Sequence, residues 1–149
     1  MKIVITDEQD IEETISYVDT EFYVVFNESF SFPGEKWTDF TYHPVFPKWI
    51  NAFIYGDKNG FEWKFRDGGD YRITFKSRGD GSFDVLCTGD GERGRREYYK
   101  TTETASDIKT ALKSAISDFI KILNKIKINN KQLLSELAIK ASILDNYKV

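Results

Sequence analysis

Few residues of this 149-residue chain are equipped for covalent or acid–base chemistry. It has one Cys, Cys87, and one His, His43, which excludes a disulfide framework, a zinc cluster and a Cys–His pair with a choice of histidine. Cys87 lies between Leu86 and Thr88 and reads as a small strand hydrophobe in a reducing compartment. His43 stands just before Pro44, with no acid whose placement the spacing fixes, so it is a poor general base. Asp67 with Asp70, and Asp80 with Asp84, are spaced to converge, but each pair borders a glycine turn, where Asp serves the backbone.

The glycine-rich motifs are equally unhelpful to catalysis. Gly89-Asp90-Gly91-Glu92-Arg93-Gly94 matches G-x-G-x-x-G after an expected strand. A dinucleotide site also needs a helix opening at the third glycine and a returning parallel strand. The polar run Arg95 to Lys100 offers neither, so a loop between strands is the better reading. Arg78-Gly79-Asp80 is a turn. Arg93, Arg95 and Arg96 with Tyr98 and Tyr99 have the residue types that bind phosphates and stack bases, but Asp90, Glu92 and Glu97 neutralise them and the pI is about 5.3. The expectation is therefore a binding protein without catalytic residues, metal or cofactor, and without nucleic acid as its partner.

The elements that must position such a surface follow from hydrophobic periodicity. Lys2 to Thr6 alternates as a first strand, and Asp7 to Tyr17 is ambiguous, with Ile11, Ile15 and Val18 at helical spacing. Glu21 to Phe32 reads as one strand with Phe22, Val24 and Phe26 on one side, ending at Pro33-Gly34. Pro44, Pro47, Trp49, Ile50, Phe53 and Ile54 predict a helix of three turns closed by Gly56. Gly60 to Arg66, Tyr71 to Lys76 and Ser82 to Thr88 form an antiparallel meander, with a further short strand over Arg95 to Lys100. From Ile108 to Ile126 the apolar residues step by three and four, behind an N-cap signal at Thr104 to Asp107, and Leu133, Leu137, Ala141 and Leu144 continue in a second helix. These elements predict one α+β domain over residues 1–149, helical from about 104. It has an antiparallel sheet of about four to six strands, one internal helix and a C-terminal pair of amphipathic helices packed on the sheet.

Charge and aromatic residues are distributed unevenly over that frame. Residues 1–40 hold ten acids against two bases, residues 41–100 nine against eleven, and residues 101–149 five against eight, so the net −3 conceals a strongly acidic first quarter. Sixteen of the 23 aromatic residues lie between Tyr17 and Phe65, interleaved with those acids. Carboxylates of one sign accelerate encounter with a basic partner, and aromatic side chains anchor protein interfaces. No run without charge exceeds eight residues, far short of the run of about 18 a membrane helix needs. The first ten residues are too acidic for a secretory leader, which predicts a cytoplasmic chain that does not engage a membrane.

Phe32-Pro33-Gly34-Glu35-Lys36-Trp37-Thr38-Asp39-Phe40, after an acidic strand region and before a Trp-containing helix, resembles the pattern F-P-x-x-x-W-T-D-F of small bacterial immunity proteins. These are found beside polymorphic or contact-dependent toxins. The resemblance runs over roughly Glu21 to Phe83 and implies that the protein blocks a cognate toxin domain stoichiometrically in the cytoplasm, with no catalytic residue to carry over. Because many such toxins are nucleases with basic clefts, the expected contact set is drawn from Asp10, Glu12, Glu13, Asp19, Glu21 and Glu28, with Trp37 or Tyr42 as the apolar anchor.

Three further readings come from the same residues, one of them an enzyme of unknown type, which would need polar residues converging in a pocket near His43 or the Asp pairs. A small-ligand module would use a concave sheet face with Trp49 and Trp63. A structural subunit would pair the apolar stripes of the C-terminal helices between two copies, as a homodimer.

Overall fold

The computed structural model describes residues 1–6, 13–14, 17–35, 37–42, 45–56, 58–65, 70–125 and 131–149, with 13–14, 17–19 and 38–42 as backbone. The protein is α+β, and its strands divide into two antiparallel sheets rather than one. The first sheet is organised around a long strand, β3 (Tyr17–Asn27). One edge of β3 pairs with β1 (Lys2–Thr6) and β2 (Glu13–Thr14), the other with β4 (Phe30–Phe32) and β5 (Thr38–Tyr42). The second sheet is a meander, β6 (Gly60–Lys64), β7 (Arg72–Ser77), β8 (Ser82–Gly91) and β9 (Gly94–Thr104), in that spatial order.

Three differences from the sequence reading have local causes. The expected single strand Glu21 to Phe32 is a hairpin, because Asn27 Oδ1 accepts the Ser29 N–H at 2.9 Å and the Ser29 hydroxyl at 2.8 Å and so reverses the chain. Thr38–Tyr42, for which the sequence names no strand, extends the same side of β3 after the Pro33 turn, with Phe22 N–H donating to the Trp37 carbonyl at 2.7 Å between the two segments. The last strand is twice its expected length because β9 stays in register with β8 from Gly91↔Gly94 to Ser82↔Thr104, with one irregularity near Thr88. The helical spacing at Ile11 and Ile15 lies outside the described residues, and Val18 is in β3.

Three helices close the core. The first, α1 (Val45–Tyr55), ends at Gly56, where a Cβ would stand 2.5 Å from the Ala52 carbonyl oxygen. It buries Val45, Phe46, Trp49, Ile50 and Phe53. Trp49 and Trp63 of β6 stack at 4.6 Å and 4°, each indole N–H donating to a carbonyl, Trp49 to Lys64 at 2.8 Å and Trp63 to Trp49 at 3.0 Å. The second, α2 (Ala105–Lys125), begins at the expected cap: the Asp107 N–H donates to Thr104 Oγ1 at 3.0 Å, and the Thr104 hydroxyl returns a bond to Asp107 at 2.7 Å. It lies along β1 and against α3 (Lys131–Asn146). Leu133, Leu137 and Leu144 of α3 are fully buried, as are Ile108, Leu112 and Phe119 of α2, so the stripes expected to join two copies are buried within one chain.

Candidate functional site: an aromatic seam at the meeting of the two sheets

Of the nucleophilic or titrating groups raised by the sequence, Cys87, Asp80 and Asp84 are inaccessible or occupied. Cys87 is buried, and loss of hydration pushes its thiol up to about 12, which removes it as a nucleophile. His43 and Asp67 lie outside the described residues, and Asp70 is exposed. Asp80 accepts the Ser82 hydroxyl and N–H, which hold its carboxyl below the usual range, while Asp84 takes Arg78 at 3.1 Å. The G-x-G-x-x-G stretch is the β8–β9 hairpin, with Gly94 at φ 100°, so nothing in it opens a helix. Among the described residues no three of His, Cys, Asp and Glu come together as a metal site.

Aromatic side chains do converge at the surface. Trp37, before β5, meets the ring of Tyr71, just before β7, edge-to-face at 5.1 Å and 80°. Tyr71 in turn lies 6.1 Å from Tyr98 of β9, and buried Phe32 touches both rings at 5.8 Å. The Arg96 guanidinium sits 5.0 Å above the Tyr98 ring. The floor of this cluster is Gly89: a Cβ there would come within 2.9 Å of both Tyr71 and Tyr98, so any larger residue would have to displace the two rings. Tyr98 keeps 39% of its surface exposed, and Trp37 is half-buried. Acids flank the cluster along the chain, with exposed Glu35 beside the Trp37 turn and Asp70 and Asp90 joined by a backbone hydrogen bond of 3.2 Å.

The acidic contact set expected from the sequence divides. Asp10 and Glu12 lie outside the described residues, and Glu13, Asp19 and Tyr42 are placed as backbone in β2, β3 and β5. Glu28 is exposed at the tip of the β3–β4 hairpin. Glu21 is a correction: it is only 7% exposed and accepts the Thr6 hydroxyl at 2.8 Å, because register pairs the two residues across β1 and β3. It is thus withdrawn from the surface. Trp49 and Trp63, the expected walls of a ligand cavity, are 1% and 0% exposed and form core. Sequence reasoning found Trp37 but missed Tyr71, and weighed Tyr98 and Arg96 only as a nucleic-acid cluster, which it set aside; the signal overlooked was Gly89, a mid-strand glycine that the Tyr71 and Tyr98 rings cover.

No helix among the described residues is long and apolar enough to cross a membrane. No protein-family model, curated protein or solved structure matches the chain.

Proposed function

We propose that the protein is an immunity protein, a cytoplasmic binding module that neutralises a cognate bacterial toxin domain by one-to-one contact. The observation that carries this reading is the seam itself. Trp, Tyr and Arg are the residue types that dominate binding energy at interfaces, and here Trp37, Tyr71, Tyr98 and Arg96 meet in one partly exposed, well-braced patch. The braced rings lose little conformational freedom on docking, which favours affinity. The acidic first quarter supplies steering toward a basic toxin surface through Asp10, Glu12, Glu13, Asp19 and Glu28, with Glu21 in a structural role.

The test is co-purification with the toxin-like C-terminal domain of the protein encoded beside it, followed by titration at several salt concentrations. A one-to-one complex is expected. Glu12→Lys/Glu13→Lys/Glu28→Lys is expected to weaken it at least tenfold and to flatten the salt dependence; a complex indifferent to both contradicts the electrostatic part of the reading.

A further inference from the structure

The face of the second sheet turned away from Trp63, Phe75 and Cys87 carries a second feature, independent of the seam. Register places its outward side chains in a grid. One row runs Lys76, Asp84, Thr102 across β7, β8 and β9, and the next runs Thr74, Leu86, Lys100. These six residues line a groove of about 490 Å³. Leu86 is the apolar centre, between Thr74 on β7 and Lys100 on β9.

The charges around the groove are not balanced. Lys100 is paired with Glu97 at 2.9 Å and Asp84 with Arg78 at 3.1 Å, and the Glu62 carboxylate beside Thr74 is taken by Lys64 at 3.6 Å and Arg72 at 3.9 Å. Lys76 alone of the groove's charged groups has no ion pair or side-chain hydrogen bond among the described residues. One uncompensated ammonium at the end of an apolar floor is complementary to one negative charge on an apolar body. The footprint decides the size of the occupant: three strands by two rows is roughly 10 by 7 Å. That is far below the ~800 Å² per partner of a stable protein interface, whereas the volume lies within the ~300–1,000 Å³ of small-molecule sites.

We infer that this groove binds a small amphipathic monocarboxylate, its apolar body over Leu86 and its carboxylate at Lys76. The probe is sodium octanoate, titrated into ¹⁵N-labelled full-length protein, with acetate and octanamide as controls lacking the body or the charge. Saturable amide shifts confined to Thr74, Lys76, Leu86, Lys100, Thr102 and their neighbours are expected. Lys76→Gln, at an exposed position, is expected to weaken octanoate at least tenfold without altering the fold, and acetate and octanamide to bind at least tenfold more weakly than octanoate. Shifts that do not saturate, that spread over the molecule, that persist unchanged in Lys76→Gln or that octanamide reproduces would overturn the assignment. None of these outcomes bears on the seam, whose partner is a protein.

Discussion

Two groupings of aromatic residues in the described structure, built from similar residue types, differ in how they are held and how far they are exposed. Trp49 and Trp63 stack face to face at 4.6 Å in the core, with both indole N–H groups bonded to carbonyls. Trp37, Tyr71 and Tyr98 meet edge-on and tilted at the surface, where the two sheets approach. The difference lies in their supports. The core pair is held from a helix face and a strand face at once, so α1 cannot be placed without it. The surface cluster is held by a loop, a strand start and a glycine floor, and the fold closes without Trp37 being fully covered. Aromatic content alone therefore says little; a tryptophan with its N–H satisfied and no exposure is architecture, whereas rings that meet edge-on at a rim keep surface open to another molecule.

Substitutions can break that contrast, and the largest effect belongs to the core pair. Trp63→Ala is expected to cost about 3–5 kcal/mol in urea unfolding, through cavity formation and the lost carbonyl bond, whereas Trp37→Ala is expected to cost about 1 kcal/mol or less. Equal losses would erase the distinction. Gly89→Ala follows at about 1–3 kcal/mol, because the added methyl must displace both Tyr71 and Tyr98. Its signature is altered tyrosine ring resonances, and an unchanged spectrum would show that the rings do not close on this glycine.

Thr88→Val is smaller and opposite in sign. The Thr88 hydroxyl is buried without a hydrogen-bond partner among the described residues, so an isosteric methyl is expected to stabilise by about 0.5–1 kcal/mol, and a clear destabilisation would reveal a partner for the hydroxyl. The smallest effect is one of pH. Burial pushes the Glu103 carboxyl above its usual range, against the pull of the N-terminal ammonium 3.4 Å away. Its contribution is greatest below the ordinary carboxylate range and is lost as pH rises through the raised value. The stability of the wild type relative to Glu103→Gln is therefore expected to fall as pH rises above the ordinary carboxylate range; a rise would mean that the ammonium outweighs burial.

The legible parts of the fold were those with strong periodicity or punctuation. The capped helix α2 follows from Thr104 to Asp107 and a stripe repeated over five turns, and the β6 to β8 meander from glycine turns between apolar alternations. The β3–β4 hairpin was hidden because its turn is made by the Asn27 side chain, without glycine or proline. β5 was hidden because the only strand signal in Thr38–Tyr42 is short and its partner lies some twenty residues away. The site was half legible. The loop drew attention to Trp37, but its neighbours Tyr71, just before β7, and Tyr98, in β9, are far from it along the chain, and only the folded sheet brings their rings over Gly89. Charge counting placed Glu21 with the surface acids, whereas pairing with Thr6 buries it.

The central claim is that the seam, not the core cluster, meets the partner. Isothermal titration of the co-encoded toxin domain with wild type, Trp37→Ala and Tyr98→Ala tests it most directly, with the unfolding curve of each variant measured alongside. The account predicts at least a thirtyfold loss of affinity for Trp37→Ala, about 2 kcal/mol, and a comparable loss for Tyr98→Ala, with both variants folded. Wild-type affinity in both folded variants would contradict it.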